Sequence, residues 1–196
     1  REFEQMEIEY FVKEEDWEKY FIYWKDEMQE WMEEIGIDMS KVYELEVKNG
    51  DRAHYSKRTI DFEFDYPFGR KELFGLAYRG DFDLKNHKLD YLDEENNQKI
   101  TPCVIEPSFG VDRAFLALLL SSYREEYSQV GGEERVFLKF KPNIAPILAC
   151  VSPLLKNKIE LVEKARKIFA DLKQEFGRIM WDDNGNIGKR YRRQDE

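Results

Sequence analysis

The sequence predicts a mixed α/β protein of the α+β type, in which an antiparallel sheet with flanking helices is followed by a smaller parallel α/β unit. Before Pro142, short runs of alternating apolar and polar residues are joined by hairpin-length loops, which is typical of an antiparallel sheet. One long helical pattern lies among these runs and is expected to pack on the sheet. After Pro142 the order becomes strand, helix, strand and helix, which predicts parallel strands.

The composition indicates a globular protein. The chain has 196 residues, of which 42% are hydrophobic and 37% are charged, and this balance is too apolar for a disordered segment. A net charge of −10 argues against a protein that coats DNA or RNA, because neutralisation of phosphates drives such binding. The sequence has no run of about 18 uncharged apolar residues, so no membrane partner is predicted.

The cysteines and histidines argue against a zinc centre and against a disulfide framework. Cys103 and Cys150 lie far apart in apolar strand-like runs, and His54 and His87 have no ligand-like spacing to them. Cysteines that stay reduced fit a cytoplasmic protein.

Residues 1–12 are predicted to form a strand with two different faces, because apolar and polar side chains alternate along them. One face is expected to enter the core, and it carries Met6, Ile8, Tyr10 and Val12. The other face carries aromatic, amide and charged side chains, namely Arg1, Phe3, Gln5, Glu7 and Glu9. The pattern alone leaves two interpretations of this second face open, a solvated surface and the floor of a polar site.

The spacing of apolar residues predicts the other elements before Pro142. Residues 14–36 show the i, i+3, i+4 spacing of a packed helix, and Gly36 is expected to end it. Further strands are predicted at 42–47, 60–66, 72–78, 100–105 and 136–141. Residues 79–84 and 90–99 are expected to be loops.

The most informative stretch reads VIEPSFGVDR, where an apolar strand is expected to break at Pro107 before a mostly buried helix at 110–123. Glu106 and Ser108 lie at the break, and Arg113 follows within one helical turn. Oxygen ligands beside a cation suit a metal-bound, phosphate-bearing ligand. The residues alone fit a strand-to-helix corner with a surface ion pair equally well.

A domain boundary is predicted at 142–146, where two prolines follow the last strand, and it gives domains at 1–141 and 142–196. The second domain is expected to contain a buried strand, an amphipathic helix, a second strand and a second helix, at 147–151, 157–177, 178–181 and from 187 onward. The amphipathic helix is expected to bury Ile159, Leu161, Val162, Ala165, Ile168, Phe169, Leu172 and Phe176.

The densest basic cluster lies near the end of the sequence. It consists of Lys189, Arg190, Tyr191, Arg192 and Arg193, at the start of the last predicted helix. Cations beside a tyrosine suit contacts with an RNA backbone and a stacked base. A solvated helix face in an acidic chain explains the same residues, so the cluster is a weak candidate for RNA binding.

The run VIEPSFGVDR followed by AFLALLL resembles the third signature motif of class II aminoacyl-tRNA synthetases, in the form found in glycyl-tRNA synthetases. Three more segments resemble the same family in the same order. They are REFEQMEIEYF at the start, ELFGLAYRGDFDL at 72–84, and KPNIAPILACVSPL leading into DDNGNIGKRYRRQDE. The four matches cover nearly the whole chain and imply the class II antiparallel sheet followed by part of an anticodon-binding domain.

Parts of the family pattern are missing. The chain lacks the F-R-x-E segment of the second motif, whose arginine contacts the ATP α-phosphate, and the first motif, which builds the dimer interface. We therefore expect an internal fragment of a longer parent, with part of the catalytic domain at 1–141 and the start of the anticodon-binding domain at 142–196. Phe74 and Tyr78 depart from the usual residue types and leave the detail of the amino-acid pocket open.

The resemblance implies that the parent is an ATP-dependent aminoacyl-tRNA ligase for glycine that acts in the cytoplasm as a homodimer. It would use ATP and Mg²⁺ to form glycyl-adenylate and would pass the glycyl group to tRNA(Gly), and the fragment alone would be inactive. Two alternatives stay open: a synthetase-like accessory or RNA-binding protein without catalysis, and a class II synthetase for another small amino acid.

The resemblance also implies roles for residues on the amino-acid side of the site. Glu7 and Ser108 would hold the ammonium group of glycine, and Arg79 would hold its carboxylate. Glycine has no side chain to grip, so selection must come from acids that bind the ammonium group and from walls that exclude a β-carbon.

On the nucleotide side the resemblance implies that Phe3 stacks on adenine and that Glu72 lines the pocket. Glu106 would ligate Mg²⁺, and Arg113 would bind the γ-phosphate of ATP. Glu106 and Arg113 are therefore the predicted catalytic residues.

Overall fold

The computed structural model describes residues 3–94, 96–127 and 134–195. The chain divides into two compact units, residues 1–121 and 122–196. The boundary predicted from Pro142 lies further along the chain, because the strands just before this proline group with the second unit. The position at which the functional domains meet stays a prediction.

The first unit is built on an antiparallel sheet. Its strands are β1 (Gln5–Glu7), β2 (Tyr10–Val12), β3 (Val42–Glu46), β4 (Arg58–Tyr66), β5 (Gly69–Gly80), β6 (Tyr91–Asp93), β7 (Gln98–Ile100) and β8 (Cys103–Gly110). Six of them form one sheet in the order β1-β8-β5-β4-β3, with β2 also paired to β8. Every pair in this sheet is antiparallel, as the sequence predicts.

Strand β8 runs through Pro107, so the predicted break at this residue is wrong. Its register is continuous against β1 and β2, and the Ile8 backbone N–H, opposite the proline, donates to the Pro107 carbonyl at 3.0 Å. Opposite residues in such a pair normally exchange two hydrogen bonds, but proline has no N–H and the second bond is missing. The predicted first strand is therefore interrupted between β1 and β2, whereas β8 continues to Gly110.

The long predicted helix is α1 (Trp17–Ile35), which follows a 3₁₀ turn at Glu14–Asp16. It ends at Gly36, whose φ of 93° is a left-handed conformation that glycine adopts without a steric cost. One face of the helix packs on the sheet, and the core contains Phe21, Met28, Met32, Ile60, Phe62, Phe64, Leu73, Phe74, Leu76 and Ile105. The apolar side of β4 lies in this core, as its alternation predicts.

The predicted core face of the first strand is only partly buried. Val12 is buried and Tyr10 is half-buried against the core, but Met6 and Ile8 are exposed. The prediction is wrong for these two residues because Met6 lies on the edge strand β1 and Ile8 follows it, and both side chains line an open pocket beside α1.

Helix α3 (Val111–Ser122) begins directly after β8. Ala117 is fully buried and Leu120 packs on the core, but Phe115 and Leu116 are exposed. Only one face of α3 joins the core, so the prediction of a helix buried on most sides is wrong.

Two segments that were expected to be loops form regular elements. Helix α2 (Phe82–His87) follows β5, and the strands β6 and β7 pair as an antiparallel hairpin. Asp93 of this hairpin is buried and pairs with Lys13 at 2.7 Å. These elements are short and mostly exposed, so their sequence carries no apolar period that could predict them.

The second unit has the predicted strand-helix order. Strands β9 (Tyr123–Tyr127) and β10 (Glu134–Leu138) form an antiparallel pair, and the connector at 128–133 lies outside the described residues. Strands β11 (Ala149–Val151) and β12 (Ile179–Trp181) are parallel and are joined by α4 (Ile159–Phe176), and α5 (Ile187–Asp195) ends the chain. The predicted parallel α/β unit is thus present.

The predicted apolar face of α4 is less buried than expected. Ala165 is buried, but Ile159 is 75% exposed, and Leu161, Ile168 and Phe176 are exposed as well. The prediction is wrong for these four residues because the short parallel strands β11 and β12, which α4 connects, offer little surface for the helix to cover. Among the described residues, no helix combines the length and the apolar character that a membrane span needs.

Candidate active site

The strands of the first unit align polar side chains on the sheet surface opposite the core. The register places Glu7 beside Ser108, Ser108 beside Gly75, and Gly75 beside Asp61, so a row of paired residues crosses the sheet. Side chains of directly paired residues project from the same face of a sheet. We call this surface the polar face; it carries Glu7, Glu9, Asp61, Glu63, Glu72, Arg79, Glu106 and Ser108.

Three carboxylates meet at the β1–β8 side of the polar face. Glu7, Glu9 and Glu106 each place a carboxylate oxygen within 4.8 Å of the other two. Glu106 is buried, whereas the other two side chains are exposed. Burial raises the pKa of Glu106, and a hydrogen bond with Glu9 raises it further, while the positive charge of Arg79 opposes the shift. The cluster is therefore a concentrated negative site with one buried member.

Arg79 lies beside these acids because of an irregularity in strand β5. The register of β5 against β8 shifts between Tyr78 and Gly80, so Arg79 is the extra residue of a β-bulge. Bulges redirect side chains, and here the guanidinium donates through Nη1 to Glu106 and through Nε to Asp83 at 2.7 Å. The pKa of Arg79 is raised, mainly by the hydrogen bond to Asp83 and also by the negative charge of Glu106.

Ser108 and Gly75 form the middle of the polar face. The Ser108 hydroxyl donates to the Gly75 carbonyl oxygen at 3.5 Å. A Cβ on Gly75 would lie 3.1 Å from Ser108 Oγ, 3.7 Å from Glu72 Oε1 and 3.9 Å from Asp61 Oδ1. A side chain at position 75 would therefore press on the Ser108 hydroxyl, and glycine keeps the polar face open between these three side chains.

The β4 side of the polar face carries a second acidic group. Arg113 Nη1 lies 3.1 Å from both the Glu72 carboxylate and the Glu72 carbonyl oxygen, and both side chains are half exposed. Burial, together with the charges of Glu72 and Glu63, raises the pKa of Asp61 to about 6. Glu72 and Arg113, the two residues that the resemblance places on the nucleotide side, thus form an ion pair, and Asp61, with its raised pKa, lies near Glu72.

Among the predicted site residues, the structure brings Glu7, Arg79, Glu106 and Ser108 together on one surface. Glu72 lies on the same sheet and pairs with Arg113, which projects from the first turn of α3. Phe3 is 62% exposed and makes no ring contact with the described residues. The structure therefore does not bring Phe3 into contact with the acid cluster or with another aromatic ring of the described residues.

Sequence reasoning assigned no role to Glu9, Asp61 or Asp83, although all three contribute to this site. Glu9 and Asp61 lie on the polar side of alternating strands, which was the available signal. Asp83 lies in α2, four residues after Arg79, and the spacing of an ion pair along a helix was the signal for it.

The acid cluster has the donor chemistry for a hard divalent cation. Glu7, Glu9 and Glu106 offer only carboxylate oxygens, which are the ligands that Mg²⁺ prefers. An ammonium group would find the same oxygens as hydrogen-bond acceptors. One oxygen of Glu106 is already bound to Arg79, so either ligand would share this carboxylate with the guanidinium.

The basic cluster of the last helix is divided between interior and surface. Arg190 is only 3% exposed and donates to the carbonyl oxygens of Pro153 and Gly185. Arg193 is bound to the buried Asp182 carboxylate at 2.6 Å. These two cations hold α5 on its own unit, whereas the side chains of Lys189, Tyr191 and Arg192 are exposed.

The fold is shared with a solved class II synthetase. Prolyl-tRNA synthetase from Giardia lamblia, in a complex with prolyl-adenylate, matches 98% of this chain and 38% of its own chain with a TM-score of 0.67. Its sequence is 18% identical, so the likeness concerns the fold. The first unit thus has the antiparallel sheet and flanking helices of class II aminoacyl-tRNA synthetases.

Sequence comparison defines the family more closely. Glycine–tRNA ligase from Thermus thermophilus is 42% identical over 219 aligned positions, and that from Clostridium acetobutylicum is 44% identical over 202. Both alignments include the whole chain but only 43% of the relative's length. No family model matches the chain. The chain is thus similar over its whole length to glycine–tRNA ligases, and it spans less than half the length of these relatives.

Proposed function

We propose that the chain carries the aminoacylation centre of a glycine–tRNA ligase, which activates glycine with ATP and transfers it to tRNA(Gly). Identity of 41–44% with glycine–tRNA ligases over the whole chain supports this proposal. The single structural observation that carries it is the cluster of Glu7, Glu9 and Glu106 beside Arg79 on the polar face. The catalytic part would occupy 1–141, and 142–196 would begin an anticodon-binding domain.

The acid cluster and Arg79 suit the two charged ends of glycine. The ammonium group would donate to the carboxylates of Glu7 and Glu106, with Ser108 beside it, and the glycine carboxylate would face the Arg79 guanidinium. These contacts would hold the amino acid by its charges alone. They would fix the carboxylate in the direction from which it attacks ATP.

The activation step is a phosphoryl-group displacement that needs no covalent enzyme intermediate. A carboxylate oxygen of glycine forms a bond to the α-phosphorus, the bond from this phosphorus to the bridging oxygen breaks, and pyrophosphate leaves. The protein would act by positioning and by neutralising charge. We assign this role to Arg79 at the amino-acid end and to Arg113 at the phosphate end, and their positions beside Glu106 and Glu72 support the assignment.

The nucleotide would lie towards Phe3, Glu72 and Arg113. Phe3 would stack on adenine, Glu72 would line the pocket, and Arg113 would exchange its present ion pair with Glu72 for the γ-phosphate. The resemblance implies Mg²⁺ as an alternative ligand of the Glu106 carboxylate, in place of the ammonium group, and this ion when bound would neutralise phosphate charge.

In the second step, a hydroxyl of the terminal tRNA ribose attacks the glycyl carbonyl carbon, and AMP leaves with the shared oxygen. The exposed side chains of Lys189, Tyr191 and Arg192 offer a weak RNA-binding surface for the same partner. We also propose that the full-length protein works as a cytoplasmic homodimer, which the family resemblance implies.

The proposal is tested by ATP–pyrophosphate exchange with the full-length protein. Glycine should stimulate exchange, and alanine and serine should not, because their β-carbons add bulk above the polar face. Exchange that does not depend on glycine, or that alanine stimulates equally well, would show that the polar face does not select this amino acid. Absence of exchange with every amino acid would favour a synthetase-like protein without catalysis.

A further inference from the structure

The Arg79 guanidinium is held on three sides by groups from three different segments. Nε donates to Asp83 in α2 at 2.7 Å, and Nη1 donates to Glu106 in β8. The ring of Tyr55 lies beneath it, with 4.0 Å between Cζ and the ring centroid. Within the described residues Nη2 makes no hydrogen bond, so one edge of this well-held cation remains available to a ligand.

Asp83 and Glu106 accept hydrogen bonds from different nitrogen atoms of the Arg79 guanidinium. A free guanidinium beside a carboxylate tends to form two parallel hydrogen bonds with it. Arg79 instead donates through Nε to Asp83 and through Nη1 alone to Glu106, so the two carboxylates together fix the rotation of the guanidinium plane. Glu106 therefore keeps acceptor capacity for the acid cluster, and among the described residues Nη2 donates to neither carboxylate.

The local backbone is shaped to bring Asp83 to this place. Arg79 is the extra residue of a β-bulge, and Gly80 follows with a φ of 64°, which turns the chain from β5 into α2. The φ of Gly80 is a left-handed conformation that favours glycine, and a Cβ there would also displace the end of the Lys57 side chain. Asp83 then lies in the first turn of α2, four residues after Arg79, and its hydrogen bond to Arg79 is the one it makes among the described residues.

We propose that Asp83 is a positioning residue for amino-acid binding, which orients Arg79 so that its free edge receives the substrate carboxylate. This inference rests on the proposed function, because it takes the carboxylate of glycine as the ligand of Arg79. Asp83 itself touches neither substrate, since the guanidinium lies between it and the acid cluster.

The chain offers a matched control for this residue. Asp81 immediately precedes α2 and pairs with Lys85, and its side chain does not cap the helix. Asp81→Ala therefore removes an acid from the same short segment without removing a partner of Arg79. Asp83→Glu keeps the carboxylate, and Asp83→Asn is the milder variant should Asp83→Ala fold poorly.

The first test measures pyrophosphate exchange in the full-length protein with glycine and ATP varied in turn. Asp83→Ala should raise the KM for glycine about ten- to a hundredfold, the effect expected when a charged hydrogen bond that orders a ligand group is lost. The KM for ATP and the kcat should change less than about threefold, because Arg79 would bind glycine equally in the ground and transition states. Asp83→Glu should recover most of the loss, and Asp81→Ala should behave like the wild type.

An unchanged KM for glycine in Asp83→Ala, or equal losses in Asp83→Ala and Asp81→Ala, would overturn the proposal. Crystal structures of the same variants give a measurement that does not depend on activity. Arg79 should leave its position over Tyr55 in Asp83→Ala and keep it in Asp81→Ala; an unmoved guanidinium in Asp83→Ala would overturn the proposal. Failure of the wild type to use glycine would instead refute the proposed function, and the crystal structures would still decide whether Asp83 positions Arg79.

Discussion

Replacing Arg79 by methionine should destabilise the first unit strongly at neutral pH and less in mild acid. Arg79 and Glu106 form an ion pair whose side chains are only 18% and 8% exposed. Removing one partner of a buried pair leaves an uncompensated charge and typically costs about 3–5 kcal/mol. We expect about 3 kcal/mol for Arg79→Met, the lower end of this range, because Glu106 can take up a proton.

The pH dependence follows from the pKa of Glu106. Burial raises this pKa, the hydrogen bond with Glu9 raises it further, and Arg79 opposes the rise, so the variant should have a still higher pKa. A carboxyl group whose pKa is raised in the folded state stabilises the fold below its unfolded pKa, and this contribution is lost as the pH rises through the folded pKa. The destabilisation by Arg79→Met should therefore be largest near pH 7.5 and should shrink towards about pH 5.

Urea unfolding followed by tryptophan fluorescence measures this effect. Trp17, Trp24 and Trp31 all lie in α1, so a Trp181→Phe background makes the signal report on the first unit alone. Arg70→Met is the matched control, because Arg70 pairs with Asp65 at the surface, and such pairs contribute little. Equal destabilisation by Arg79→Met at both pH values, or an effect no larger than that of the control, would refute the assignment of Arg79 as the buried partner of Glu106.

Three other expectations concern the site and the chain as a whole. In the full-length protein, Glu7→Gln should raise the KM for glycine at least about tenfold with little change in the KM for ATP, and Arg113→Ala should raise the KM for ATP with little change in the KM for glycine. Unchanged glycine kinetics in folded Glu7→Gln would mean that the polar face is only a solvated surface. The raised pKa of Asp61 stabilises the fold at low pH, and this stabilisation is lost as the pH rises from the ordinary Asp pKa of 3.8 to the value of about 6 in the fold. Asp61→Asn should therefore show a smaller fall in the free energy of unfolding over this pH range. Urea titrations at several pH values measure the fall, and an unchanged fall would contradict the raised pKa. The 196-residue chain alone should not charge tRNA, because it spans only 43% of the length of its relatives, and pyrophosphate exchange at the full-length rate would contradict this expectation.

Much of the first unit could be predicted because local patterns agree with the final packing. The alternation at 60–66 corresponds to β4, and the helical period before Gly36 corresponds to α1. The prediction of a break at Pro107 was wrong because the cost of its missing N–H depends on the residue paired with it. The sequence does not show that this residue is Ile8, which still donates its own N–H to the Pro107 carbonyl oxygen. Met6 and Ile8 alternate like core residues, but their burial depends on a neighbouring strand that the local pattern cannot reveal.

The grouping of the candidate site residues was predictable where a motif carries them and unpredictable where cross-strand pairing brings them together. Glu7, Glu106 and Ser108 came from the resemblance, and the register places Glu7 beside Ser108, while their roles stay predictions. Glu9 joins the acid cluster because β1 and β2 keep one register against β8. Arg190 was expected to be at the surface, but its partners are backbone carbonyls of two distant turns, which no local charge pattern indicates.

The central claim is that the polar face binds the ammonium end of glycine through its acid cluster. A crystal structure of the full-length protein with a stable analogue of glycyl-adenylate tests it most directly. The ammonium nitrogen should lie about 2.7–2.9 Å from carboxylate oxygens of Glu7 and Glu106, with the former glycine carboxyl group next to Arg79. An analogue whose ammonium group faces solvent, or that binds away from β1 and β8, would contradict the claim.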